Sequence, residues 1–148
     1  MATGKGIVHG WDKTGLPILW VFLGRHSRAG RNAQETVKFI LYSLEQAVRI
    51  AESRSLEQMC VVVDLSGFST RSMDFEVTKS LFNILKHHYP EHIGKILLWN
   101  APFVFGMFWN IVRNWIDPVT ENKVQFVSGD MLFELVDRAE HPELQVTH

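Results

Sequence analysis

Residues 95–128 read KILLWNAPFVFGMFWNIVRNWIDPVTENKVQFVS. KILLWN (95–100) and KVQFVS (123–128) are short apolar runs of strand length, and the segment between them has the length and apolar content of a helix over 102–116. A strand, a helix and a strand in that order form the repeating unit of a sheet covered by helices. Working upstream, Phe75, Leu81, Phe82 and Leu85 mark a helix over about 74–87, and MCVVVDL (59–65) is a near-continuous buried strand. Before it, Val37, Ile40, Leu41, Leu44, Val48 and Ala51 share one face of a helix over 32–53. PILWVFLG (17–24) is a strand that follows a turn-like DKTG at 12–15. Downstream, a last helix is expected over 130–139, ending in the polar tail AEHPELQVTH. The pattern predicts an α/β fold with a mainly parallel sheet, and a chain of 148 residues fits a single domain over 1–148.

The helix over 102–116 is more apolar than a small domain requires. Val104, Phe105, Met107, Phe108, Trp109, Ile111, Val112, Trp115 and Ile116 cover about 200° of its circumference, where a stripe of about 100° suffices for a surface helix. Gly106, Asn110, Arg113 and Asn114 form the narrow polar strip. Either the helix is sandwiched between sheet and neighbours, or part of its surface serves something outside the domain's own core.

Composition narrows the function. With 15 basic and 16 acidic residues the net charge is −1, which gives a nucleic-acid partner no electrostatic support. The one cysteine, Cys60, lies inside an apolar run and reads as a small buried hydrophobe in a reducing compartment. No apolar stretch reaches the ~20 residues of a bilayer span, and MATGKGIVHG has no signal-peptide core. A cytoplasmic protein with peripheral membrane contact at most is predicted.

Several residues resemble sites and have plainer readings. Asp64 ends a buried strand, where α/β enzymes place nucleophiles. A phosphotransfer Asp would want a second Asp two residues on and a Thr two after that, whereas DLSGF offers Ser66 and Phe68. Capping of the following loop by the Asp64 carboxylate is the simpler role. His88 and His92 have metal-ligand spacing beside His87, but Pro90 between them breaks the helix that would align them. GRHSRAGR (24–31) gathers three arginines and a histidine that could meet phosphate or simply face solvent. P-loop, G-x-S-x-G and G-x-G-x-x-G motifs are absent from the sequence. The expectation is a binding protein, not an enzyme, with no metal and no cofactor.

Across 87–130 the chain resembles the CRAL-TRIO lipid-binding family, typified by phosphatidylinositol/phosphatidylcholine transfer proteins. Tyr89-Pro90-Glu91, Gly94-Lys95, Asn100-Ala101-Pro102, Asp117-Pro118 and Thr120 with Lys123 stand in the family's order and spacing. VVVDLSGFS (61–69) and HGWDKTGLPILW (9–20) extend the match, which runs from about residue 6 to residue 139. The helical module that usually precedes the domain and the segment that usually follows the last helix are both missing from the sequence given.

The resemblance implies a three-layer α/β/α domain whose sheet floors an apolar lipid cavity closed by a gate helix, here residues 102–116. Phe103, Phe105, Phe108, Trp109, Val112 and Trp115 would contact the lipid tails or the bilayer. Lys123, its partner Thr120, the orienting Glu91 and the hydroxyl of Ser69 would hold the headgroup. His92 stands where an arginine is common, and Arg71 replaces a small hydroxyl residue of the choline-lipid site. The implied partner is therefore a phospholipid, phosphatidylinositol favoured, carried by a protein in transient contact with membrane surfaces. A tocopherol- or retinoid-like ligand remains open. So does a non-transferring protein-interaction module of a signalling regulator, with a protein partner engaged through a fused or missing segment. Thr120 and Lys123 also fit a plain solvated turn after Asp117-Pro118.

Overall fold

The computed structural model describes residues 6–88 and 91–142, His88 in its backbone alone. Five strands form one sheet in the order β1-β2-β3-β4-β5: β1 (Gly6–Trp11), β2 (Pro17–Phe22), β3 (Met59–Asp64), β4 (Ile93–Trp99) and β5 (Val124–Val127). β1 pairs antiparallel with β2, and β2 to β5 are parallel. The α/β class and mainly parallel sheet expected from the sequence are present. β1 was not expected as a separate strand. GIVHGW holds two glycines and a histidine, and its pairing is interrupted by a bulge between Val8 and Trp11, so neither alternation nor an apolar run betrays it.

The turn that joins β1 to β2 is built by Asp12. Its Oδ1 accepts hydrogen bonds from Thr14 N (2.9 Å), Thr14 Oγ1 (2.7 Å) and Leu16 N (2.9 Å), and Gly15 supplies the positive φ of 96° that the turn needs. Its Oδ2 lies 3.0 Å from Lys95 Nζ of β4, an ion pair whose carboxylate is fully buried. Burial would raise the Asp12 pKa, but Thr14, Leu16 and Lys95 hold it below the usual carboxylate range.

The parallel strands are joined by α1 (Ala33–Ser53), α2 (Phe75–His88) and α3 (Phe103–Val112). Because the strands lie in chain order, right-handed crossovers put all three helices on one face. Asn32 caps α1 by accepting from Glu35 N at 3.0 Å, and Asp74 caps α2 by accepting from Val77 N at 3.1 Å. α3 is shorter than the expected 102–116. It tightens into a 3₁₀ turn at Arg113–Trp115, where the Asn114 amide donates to the carbonyls of Asn110 and Ile111.

On the other face of the sheet Ile18, Trp20, Phe22, Cys60, Val62, Leu97, Trp99 and Val127 pack under Leu132 and Val136. These come from the segment expected as a helix over 130–139, which is instead two 3₁₀ stretches, Gly129–Glu134 and Arg138–Glu140. An α-helix cannot persist there because its backbone is committed to the β1–β2 turn. Lys13 N donates to Leu135 O at 2.9 Å, and Val136 forms a bridge with Asp12. The third layer is thus irregular chain, and the tail from residue 143 lies outside the described residues.

Candidate binding site

The helical face of the sheet is not fully covered. Trp20 and Val62 on the opposite face have no exposed surface, yet their neighbours Val21 and Val63, directed toward the helices, are only partly buried. Between sheet and helices lies a partly open cavity of about 180 Å³. Its floor is Leu19, Val21, Val61, Val63, Ile96 and Leu98. Ile40 and Leu44 of α1, Val77, Leu81 and Leu85 of α2, and Phe105, Phe108, Trp109 and Val112 of α3 make the walls. Protein interiors pack to crystal-like density, so a gap lined almost wholly by hydrocarbon can admit an apolar guest.

α3 resolves the surplus of apolar residues noted in its sequence. Phe105 and Phe108 are 3% exposed and Val112 is 1% exposed on the inner side. Trp109 is also turned inward, stacked on Phe105 (6.2 Å between centroids) and edge-on to Phe126 (5.8 Å). The outer side carries Phe103, 92% exposed, Met107, 57%, and Ile111, 50%. These three recur every four residues and form one stripe. Of the six tail-contact residues predicted, Phe105, Phe108, Trp109 and Val112 line the cavity. Trp115 lies edge-on to Phe75 of α2 at 6.0 Å, and Phe103 faces away. Met107 and Ile111 are outward apolar residues absent from that set.

The predicted headgroup residues do not gather at one place. The parallel strands run the same way, so residues that precede β4 and β5 share one end of the sheet and residues that follow β2 and β3 share the other. Glu91, Thr120 and Lys123 lie at the first end, and Ser69 at the second. Thr120 is 1% exposed, and its hydroxyl donates to Asp117 Oδ2 at 2.7 Å. It follows Pro118 in the short helix α4 (Pro118–Glu121), which Asp117 caps. Lys123 is partly buried, and its carbonyl accepts from Ile96 N at 2.9 Å. Glu91 is exposed. Ser69 N donates to Ser72 Oγ at 3.2 Å as the chain enters a 3₁₀ turn. Tyr89 and Pro90 lie outside the described residues, as does the side chain of His88.

The loop 24–31 is solvated at Arg25, Arg28, Ala29 and Gly30, while His26 and Arg31 turn toward Asp74. His26 is buried, and its Nε2 lies 2.7 Å from Asp74 Oδ2. Arg31 grips the same carboxylate with two bonds, Nε to Oδ2 at 2.7 Å and Nη2 to Oδ1 at 2.8 Å, and Nη2 also reaches Glu76 at 3.1 Å. Arg28 Nη1 donates to Thr70 O at 2.6 Å. Burial pushes the Asp74 carboxyl up, but Arg31, His26 and the Val77 amide together hold it down at about 2. His26 and Asp74 both line the cavity. The sequence hides this cluster, whose bonded members lie up to 48 residues apart. The one local signal is an Asp at a helix start.

The plainer readings hold elsewhere. Asp64 Oδ1 accepts from Ser66 N at 2.9 Å and so caps its loop. Cys60 is fully buried, and burial pushes its thiol up to about 12. His87 Nδ1 bonds the Asn83 carbonyl of its own helix at 2.9 Å. Among the described residues no group of His, Cys, Asp and Glu could hold a metal ion, and no helix is long and apolar enough to cross a membrane.

Comparison with known proteins agrees with this architecture. The CRAL/TRIO domain family matches residues 1–145. The chain is 39% identical over 123 residues to the phosphatidylinositol transfer protein CSR1 of Eremothecium gossypii, covering 83% of this chain and 28% of that protein. It is 30% identical over 123 residues to the CRAL-TRIO domain-containing protein C3H8.02 of Schizosaccharomyces pombe, with the same two coverages, 83% and 28%. The crystal structure of Sfh5 superposes with a TM-score of 0.74 at 24% identity, over 88% of this chain and 50% of that one, which shows a shared fold. The chain therefore spans less than a third of the length of these two curated relatives.

Proposed function

The chain belongs to the CRAL/TRIO domain family, and from that premise we propose that it binds a single lipid in its cavity and transfers or presents it between membranes without catalysis, at the cytoplasmic face. The observation that carries this reading is the hydrocarbon-lined space above Val21 and Val63. Each acyl CH₂ moved from hydrocarbon into water costs about 0.8 kcal/mol, so a lipid travels through water only inside such a cover. Phosphatidylinositol is the favoured ligand, by analogy with the relative named for its transfer. Its headgroup is assigned to the end of the sheet that carries Glu91, Thr120 and Lys123, with Ser69 available to a ligand lying toward the other end. α3 is the gate, and its outer stripe of Phe103, Met107 and Ile111 is the surface offered to the bilayer.

Native mass spectrometry of the purified chain, with lipid extraction, tests the reading. A bound phospholipid supports it, and a lipid-free protein that moves no phosphatidylinositol between vesicles overturns it in favour of an interaction module. The headgroup assignment predicts that Lys123→Ala weakens phosphatidylinositol binding by about 1.5 to 3 kcal/mol, the range for a hydrogen bond to a charged group, and spares neutral ligands. An unchanged affinity removes Lys123 from the site.

A further inference from the structure

α3 lacks the local support that its companions have. Asn32 and Asp74 cap α1 and α2, whereas the N-cap of α3 is Pro102, which makes no side-chain capping bond, and its first turn holds no acidic residue to meet the helix dipole. Gly106 then stands in its interior. Five of the described glycines have a positive φ, and at Gly24 the Ser66 carbonyl occupies the place of a Cβ. Neither reason applies to Gly106. Its φ is not positive, it is exposed, and a Cβ added to it would meet nothing within 4 Å beyond its chain neighbours and the helix backbone. Alanine fits there and favours a helix more strongly, so the glycine weakens α3 at this point with no packing gained in return.

The weak point divides the helix by what each part holds. Ahead of it, Asn100 ties the entry to the sheet: its N–H donates to Val127 O at 3.0 Å, and its Oδ1 accepts from Gly129 N at 2.7 Å. Phe105 lies edge-on to Phe68 at 5.2 Å. Beyond Gly106 come Phe108, Trp109 and Val112, three of the four α3 residues that wall the cavity. Resting on the reading of α3 as the gate of a lipid cavity, we propose that Gly106 is the hinge that sets the rate of lipid exchange: the segment from Met107 onward swings off the cavity while Phe105 and the turn before it stay on the sheet. Such a break uncovers most of the α3 wall and keeps the Phe105–Phe68 contact and the Asn100 bonds, which lifting the whole helix would strain or lose.

The test follows fluorescent phosphatidylinositol moving between phosphatidylcholine vesicles, using the whole chain with Gly106→Ala and, one turn along the same exposed side, Asn110→Ala. Both substitutions strengthen the helix, but only the first removes the hinge. Gly106→Ala is expected to raise the melting temperature by about 2 °C. It should also slow transfer about fourfold, the preference of a helix for Ala over Gly expressed as a rate, while Asn110→Ala transfers at the wild-type rate. An unchanged melting temperature in Gly106→Ala overturns the proposal. So does unslowed transfer, which means that α3 swings as a rigid body, and so does equal slowing by both variants, which means that the whole helix unwinds. Each of these leaves the cavity reading standing. A wild-type protein that carries no lipid and moves no phosphatidylinositol overturns that reading, and the hinge falls with it.

Discussion

Asp74 is a carboxylate set against hydrocarbon, and its ionised state survives because four donors surround it: two from Arg31, one from His26 and one from the first turn of α2. Breaking a buried charge pair leaves the other charge uncompensated. Asp74→Asn should therefore lower stability by about 3 kcal/mol at pH 7 in urea unfolding, since Arg31 keeps only its exposed partner Glu76. The pH dependence has a definite sign. The native pKa of about 2 lies below the usual 3.8, so between those values the unfolded chain binds more protons than the folded one. The stabilisation is complete above about pH 4 and is lost as the pH falls toward 2. Wild type should lose stability across that window, while the Asn variant loses less. A parallel fall in both proteins would place the acid sensitivity elsewhere.

At the scale of the element, α3 separates two kinds of apolar residue that look alike in the sequence. Phe108→Asp puts a carboxylate beside Phe68, Phe75 and Phe105, whose rings lie 5.5, 5.1 and 6.1 Å from its own. It should unfold the domain or cut its melting temperature severely. Met107→Asp and Ile111→Asp should leave the melting temperature unchanged and slow lipid transfer between vesicles, because their loss is felt only at the bilayer. Normal transfer in both would mean that this stripe is not the membrane surface. The wheel of about 200° showed that α3 had more apolar surface than its own core needs, but not which residues made up the surplus. Trp109 and Met107 are both apolar and two positions apart, and only the aromatic neighbours Phe105 and Phe126 decide that the first turns inward. The same limit explains what else stayed hidden. β2 to β5 were legible as short apolar runs and α1 to α3 as longer stretches of apolar residues at helical spacing. β1 and the 3₁₀ stretches owe their shape to partners far along the chain, Val136 beside Asp12 among them. The motif residues were legible by order, but His26 with Asp74 was not, since it joins loops 48 residues apart.

Over the whole molecule the two faces of the sheet differ in how tightly they are packed. Leu97 is fully buried on the face under Leu132 and Val136, and Leu97→Ala should cost about 3 kcal/mol, as large-to-small changes in a filled core do. Leu85 borders the cavity, so Leu85→Ala in the empty protein enlarges an existing space and should cost about 1 kcal/mol. Adding a ligand that fills the cavity should raise the melting temperature of the wild type and widen the gap between it and Leu85→Ala, since binding to the folded state alone adds to stability. Equal costs in the empty protein would argue that the cavity closes when no guest is present.

The layer formed by Leu132 and Val136 also bears on the order in which the protein is made. A ribosome delivers β2, β3 and β4 long before residues 129–136, so a growing chain carries Ile18, Trp20, Val62, Leu97 and Trp99 on a naked surface until this late segment has emerged. Such a surface is a nucleus for clumping, and a cell that synthesises this protein should need a holdase to shield it during that interval. A chain truncated after Ser128 should bind hydrophobic dyes strongly and pellet on centrifugation, and a soluble, dye-silent truncation would show that the helical face alone sustains the fold.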